Sequence, residues 1–228
     1  MPQDDGVIDV GDARLPYDLH VPEQCRGIVV FVHGSGSSRN SPRNRHVAAA
    51  LQQAGFGTLL FDLLREDEET DRRAVFDIAL LTGRLLLVLA WVHRTHGDLR
   101  VGLFGASTGA AAALMAAADP ASDVAAVVSR GGRPDLAGPA LAAVAAPTLL
   151  IVGGADTAVL ALNRDAAARM HCAHEVHVVP GATHLFEEPG ALDAVVGLAR
   201  AWFGQHLTDA TTGDAASTAA RAARASRP

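Results

Sequence analysis

The sequence predicts an α/β protein: a mostly parallel, twisted sheet of about eight strands with helices on both faces. Three observations carry that prediction. Short, almost wholly apolar runs such as Ile28–Val32 and Thr148–Val152 have the pattern of strands buried on both faces, as parallel strands are. These runs alternate with longer helical patterns that Gly or Pro closes, which is the rhythm of βαβ units. The chain has 228 residues, 49% of them hydrophobic and only 4% aromatic, so aliphatic packing suits one core of ordinary domain size.

Each element follows from local signals. Val7–Val10 and Arg14–Val21, parted by Gly11-Asp12, read as a hairpin. Gly27–Val32 is the first buried strand. Ser41-Pro42 opens a helix that Gly55 stops, with Pro at its first position. Thr58–Phe61 is a strand, followed by an acidic loop from Arg65 to Arg73 and one long helix from about Ala74 to His96. Arg100–Phe104, Val124–Ser129, Thr148–Val152 and Glu175–Val179 are the later strands. Helices cover Ser107–Ala118, about Ala158–Met170 and about Pro189–Leu207. Arg130 to Pro147 reads as a Gly- and Pro-punctuated loop with one short helix, too short to hold a lid. The folded domain is expected over residues 1–207. The tail, 208–228, has no large apolar residue and is expected to be disordered.

Composition narrows the function. The formal charge is −6, without the basic footprint of a nucleic-acid binder. The chain contains no lysine, which removes Schiff-base, pyridoxal-phosphate and P-loop lysine chemistry. Cys25 and Cys172 read as two reduced, buried thiols. The acidic N-terminus is unlike a signal peptide. The apolar stretch Ile78–Val92 is shorter than the ~20 residues of a membrane span, and Arg84 interrupts it. It reads as a buried helix, and a cytoplasmic location is expected.

Sites in such sheets lie at the carboxyl ends of the strands. After Arg100–Phe104 stands Gly105-Ala106-Ser107-Thr108-Gly109, then a helix. A strand, a sharp turn and a helix around G-x-S-x-G hold a serine hydroxyl above the sheet, with small neighbours where strand and helix meet. Ser107 is therefore the candidate nucleophile. His33-Gly34-Ser35-Gly36-Ser37-Ser38 follows the first buried strand. A tetrahedral intermediate needs two fixed N–H donors, assigned to the amides of Thr108 and Ser35. His33 reads as a fixture of that loop. A serine nucleophile also needs a base and an orienting carboxylate. Asp156, in Gly153-Gly154-Ala155-Asp156, is the candidate acid, with Asp135 as its rival and a helix cap as its alternative role. His184, in the loop after the last strand, is the candidate base. The spacing of His171, Cys172, His174 and His177 does not favour a shared metal, and no cofactor is expected.

The H-G-S-G-S-S loop, G-A-S-T-G elbow, G-G-A-D turn and G-A-T-H-L-F loop, in that order, resemble the α/β-hydrolase superfamily over about residues 7–207. Within it the chain resembles the dienelactone-hydrolase-like branch. The resemblance implies the α/β-hydrolase fold and a triad of Ser107, Asp156 and His184. One feature departs: dienelactone hydrolases proper use a cysteine nucleophile, so the lactone substrate does not carry over. Similar modules also occur joined to phosphoribosyltransferase domains, and the tail has the composition of a linker remnant.

The expected function is a serine hydrolase acting on an ester, lactone or thioester of a small soluble molecule. An acyltransferase with the same triad and a non-catalytic binding scaffold are the competing classes. Arg39, Arg130 and Arg133 all follow predicted strands on the active-site side. One or more is expected to bind a substrate carboxylate or phosphate, the competing role being ion pairs with Glu66–Glu69. Oligomeric state is left open.

Overall fold

The structure, a computed structural model, describes residues 3–11 and 13–208. Asp12 of the expected hairpin turn, and all of the expected disordered tail except Thr208, lie outside the described residues.

Among the described residues, eight strands form one sheet: β1 (Gln3–Val10), β2 (Ala13–His20), β3 (Ile28–Val32), β4 (Gly57–Phe61), β5 (Val101–Ala106), β6 (Val124–Arg130), β7 (Thr148–Gly153) and β8 (His174–Val179). Their spatial order is β1-β2-β4-β3-β5-β6-β7-β8. β1 and β2 form the predicted hairpin, and β2 also runs antiparallel to β4; all other pairs are parallel. The α/β-hydrolase fold predicted from sequence is the one observed.

The order of strands positions the site. From β3 the chain moves to one side, to β4, then crosses back to β5 on the other side of β3. The loops leaving β3 and β5 therefore diverge above adjacent strands, and the crevice between them is where doubly wound sheets place their ligands. Helices α1 (Pro42–Gln53) and α6 (Ala191–His206) cover one face, where Phe203 of α6 joins Phe31, Phe104 and Phe186 in one apolar cluster. Helices α3 (Ile78–His96), α4 (Thr108–Ala117) and α5 (Thr157–Ala167) cover the other.

Two helices differ from expectation, and the loop after β6 holds the short helix expected of it. The single helix expected from Ala74 is broken into α2 (Arg72–Val75) and α3, because Asp77 accepts the Leu80 N–H (2.9 Å) and restarts the helix. The loop after β6 holds a 3-10 segment, Pro134–Ala143, kinked at Gly138 with φ 54°. Helix α6 starts at Ala191 because Gly190 takes φ 78°, outside the helical range. The two cysteines are unpaired and half-buried rather than buried.

Helix α3 is, by length and composition, long and apolar enough to cross a membrane. Here it buries Leu81, Leu85, Val88, Leu89 and Val92 in the core. Burial of such side chains is worth about 1.5–3 kcal/mol each. Arg84 shares that buried stripe at 2% exposure. A buried guanidinium requires acceptors. Arg84 donates to the Leu63 carbonyl (3.1 Å) and to Glu68 (2.9 Å). The acidic loop thus supplies the counter-charge for the arginine inside the apolar helix.

Arg84 holds the Glu68 carboxyl at a pKa of about 2, against an ordinary 4.5. A depressed carboxylate stabilises the fold fully above the unfolded-state pKa and loses that contribution as pH falls through the folded one. Thermal melts between pH 5 and pH 2, a window on the order of that shift, should therefore show a steep loss of stability in the wild type. Glu68→Gln should be less stable near neutrality and flatter across the same window. Parallel curves for the two proteins would contradict the pairing.

Candidate active site

Strand β5 and helix α4 meet at Ser107, whose φ of 51° and ψ of −121° lie in the left-handed half of backbone space. Such a conformation costs a non-glycine residue about 1–3 kcal/mol and persists only where surroundings enforce it. Here three backbone hydrogen bonds do so. The Ser107 N–H donates to the Arg130 carbonyl (3.3 Å), and the Ser107 carbonyl accepts from Ala110 (3.1 Å) and Arg133 (3.0 Å). The flanking glycines are required by contact. A Cβ at Gly105 would lie 2.5 Å from the Ala110 Cα, and one at Gly109 would overlap the carbonyls of Val32 and His33.

His184 reaches Ser107 from the loop after β8. Its Nε2 lies 3.4 Å from Ser107 Oγ, and its Nδ1 lies 2.8 Å from Asp156 Oδ2. In that arrangement Nδ1–H donates to the carboxylate and Nε2 is free to accept the serine proton. A nucleophile–base distance somewhat above 3.2 Å is common before substrate binds. The carboxylate end of the array is sheltered: the Asp156 side chain is 16% exposed. The other Asp156 oxygen accepts the Val159 N–H (3.4 Å) and caps α5. The two hydrogen bonds of Asp156, to His184 and to the first turn of α5, thus use different oxygens of one carboxylate. The β7 turn and the His184 loop are joined directly by Gly154 N–H to Val179 O (2.8 Å) and Ala155 N–H to Ala182 O (2.9 Å). Asp135, the rival acid, is occupied elsewhere. It forms a two-pronged pair with Arg133 (2.8 and 2.8 Å), which holds its carboxyl below the ordinary range.

The β3 loop backs onto the elbow. A Cβ at Gly34 would lie 2.9 Å from both Ser107 Cβ and the Ala106 carbonyl, so the loop approaches the serine as closely as glycine permits. His33 fixes the loop from below. Its Nε2 accepts the Leu63 N–H (3.0 Å), which leaves the proton on Nδ1 to be donated to the Gly34 carbonyl (3.0 Å). Burial pushes its pKa down, so it stays neutral. The Ser35 N–H, one of the two expected oxyanion donors, points at the elbow and donates to Thr108 Oγ1 (2.9 Å). The Thr108 N–H begins α4, where no preceding turn accepts it. A cavity of about 230 Å³ opens beside the loop, lined by Ser35, Leu63, Leu64, Val75, Leu81 and Glu69. Desolvation, with Asp62 and Glu66 adding repulsion, raises the Glu69 pKa.

The three candidate arginines separate. Arg39 pairs with Asp62 and lies 3.8 Å from Asp18, and Arg133 is held by Asp135. Neither uses Glu66–Glu69. Arg130 is buried and has no carboxylate partner among the described residues. His174 and His177 lie on β8, where His177 pairs with Glu175 (3.5 Å).

Sequence reasoning missed two features: the relay from Arg84 through the Leu63 peptide to His33, and the Thr108 hydroxyl against Ser35. An arginine inside an apolar helix facing an acidic loop was the available signal for the first. Nothing in the sequence pattern marks the second.

His33→Ala removes two buried hydrogen bonds at once and leaves the Leu63 N–H without its acceptor. It should cost about 2 kcal/mol or more in urea unfolding. A loss within error of zero would show that the loop does not depend on it.

Residues 17–202 match the profile of the dienelactone hydrolase family. A dienelactone hydrolase from Anabaena variabilis is 51% identical, superimposes with a TM-score of 0.88, and aligns over 90% of this chain and 98% of its own. A lidless α/β serine hydrolase from Xanthomonas campestris, at 20% identity and TM-score 0.75, shares the fold over 90% of this chain and 95% of its own. Proteins from two strains of Mycobacterium tuberculosis, provisionally named phosphoribosyl transferases, are 62% identical over 199 residues. That match spans 86% of this chain but 45% of their length.

Proposed function

The chain belongs to the dienelactone hydrolase family, and from that premise we propose that it is a serine hydrolase of small esters, lactones or thioesters. The observation that carries this reading is the continuous hydrogen-bond path from Ser107 Oγ through His184 to Asp156 at the mouth of the β3–β5 crevice. His184 Nε2 takes the Ser107 proton as Oγ bonds to the substrate carbonyl carbon. The carbonyl oxygen becomes an oxyanion beside the Thr108 and Ser35 N–H groups. For Ser35 to donate, the Thr108 hydroxyl must yield its place to that oxygen. Collapse of the intermediate expels the alcohol, thiol or ring oxygen, which takes the proton back from His184. Water, deprotonated by His184, then splits the acyl-enzyme and regenerates Ser107.

Asp156 stabilises the imidazolium formed in each step. The 3-10 segment after β6 is ten residues long, and among the described residues no lid domain stands above Ser107. Together with a cavity of about 230 Å³, this favours small soluble substrates. The serine at position 107 separates the chain from relatives with a thiol nucleophile. The transferase name of the mycobacterial relatives refers to proteins of which the match spans 45%. In our reading this chain corresponds to the hydrolase module of such two-part proteins.

Ser107→Ala should abolish turnover of p-nitrophenyl acetate and labelling by a fluorophosphonate probe; unchanged turnover would sink the assignment. Asp156→Asn keeps an oxygen to cap α5 but removes the charge behind His184. It should lower kcat by about 10³–10⁴-fold, whereas Asp135→Asn should stay within a few-fold of wild type. The reverse ranking in steady-state assays would make Asp135 the acid.

A further inference from the structure

The buried side of helix α5 consists of Asn163, Ala166 and Ala167. Asn163 is wholly buried, so its amide must find partners inside the protein. Its Nδ2 donates to the Val159 carbonyl (2.8 Å) and to the Gly132 carbonyl (3.0 Å). Both partners only accept, which fixes the amide with Nδ2 toward them. The first bond stays within the helix. The second leaves it and reaches the loop after β6.

Gly132 is clamped at that point. A Cβ there would lie 2.0 Å from Ser129 Oγ and 2.6 Å from the Ala110 Cβ, so β6 and α4 close on it while α5 holds its carbonyl. That carbonyl belongs to the same planar peptide as the Arg133 N–H. The Arg133 N–H in turn donates to the Ser107 carbonyl (3.0 Å). Any tilt of this peptide therefore pulls on a bond that holds Ser107 at positive φ. At the other end of the helix turn, the Val159 N–H donates to Asp156 Oδ1 (3.4 Å). A continuous route thus runs from Asp156 through Val159, Asn163 and the Gly132–Arg133 peptide to Ser107. His184 spans the same two residues by a separate route, at 2.8 Å from Asp156 and 3.4 Å from Ser107. The route through Asn163 sets the gap that the imidazole has to bridge.

We propose that Asn163 is a positioning residue that fixes the nucleophile turn relative to the acid and so keeps Ser107 Oγ within reach of His184. This rests on the hydrolase reading of Ser107. Asn163 touches none of the three triad side chains; it acts through the Gly132–Arg133 peptide. Without it the buried Gly132 carbonyl loses its donor, and the peptide is free to turn. Ser107 then shifts, while the Asp156–His184 pair keeps its own hydrogen bond and the Val159 cap.

The test is Asn163→Leu, similarly branched but without a donor, assayed with p-nitrophenyl acetate. A displacement of about 1 Å at a reacting group costs on the order of a hundredfold, so kcat should fall by about tenfold to a hundredfold. KM should stay within about twofold, because the lost interaction serves the chemical step. Fluorophosphonate labelling should slow by the same factor as kcat. The acid limb of kcat/KM against pH, set by His184, should not move. Phe203→Leu serves as the control for lost stability, since Phe203 packs on Gly102 at the far end of β5. It should lower the melting temperature and leave kcat within about twofold. A kcat for Asn163→Leu within about threefold of wild type, a loss confined to KM, a shifted acid limb, or an equal loss in Phe203→Leu overturns the proposal. If Asn163→Leu does not fold, Asn163→Ser decides on the same criteria, because its hydroxyl can return to the Val159 carbonyl but falls short of Gly132. Should wild type turn over no ester, the hydrolase reading fails instead, and hydrogen exchange tests the clamp by itself. The Arg133 and Ala110 amides, both donors to the Ser107 carbonyl, should then exchange faster in the variant than in wild type; equal exchange overturns the clamp.

Discussion

Close approach of three backbone segments at one point governs the rest of this molecule. The loop after β3, the end of β5 and the first turn of α4 meet around Ser107 at separations that leave no room for a Cβ at positions 34, 105 or 109. The serine is held at a positive φ because these segments, together with the ends of β6 and its following loop, fix it through backbone hydrogen bonds. The energy for that strain comes from the buried sheet beneath. Strands β3, β5 and β7 are buried along their whole length, as is β6 from Ala126 onward, and they cannot relax to relieve the turn. In the proposed role of nucleophile, a serine held in this way loses little on reaching its reactive geometry.

A second layer of hydrogen bonds carries this rigidity outward. The Leu63 peptide is held at both ends, its N–H by His33 and its carbonyl by Arg84, and Arg84 is neutralised by Glu68. A buried ion pair is thereby connected to the glycine loop that presents the Ser35 amide. Leu63 and Leu64 line the cavity beside that amide. The acidic loop, which looks like simple solvated sequence, sets the position of the cavity wall.

Much of this was legible in the residues. Alternation of apolar strands and helical segments gave the sheet and its layers. The order of Ser107, Asp156 and His184, each just past a strand end, gave the array that the geometry brings together. What could not be read was of two kinds. Local capping decided some boundaries: Asp77 restarts a helix that hydrophobic periodicity alone would run through, and Gly190 delays another. Long-range pairing decided others. Asp135 and Asp156 are equivalent as letters after strands, and only the fold shows that one faces Arg133 and the other His184. The same holds for the arginines. Three of them follow strands toward the site, and their carboxylate partners, or the lack of one, depend on which loops lie side by side.

Asp156 has a consequence for comparing relatives of this chain. One of its oxygens orients His184 and the other closes the first turn of α5, so an aspartate at this position is kept by two independent demands. A descendant that lost its serine or histidine, and with it all chemistry, would still be penalised for losing the aspartate, because α5 would fray. Retention of the acid in a family member is therefore poor evidence of an enzyme. The serine is the more telling position. On the proposed hydrolase reading, its backbone strain is supported by the fold but needed only for the reaction, so drift would relax it first.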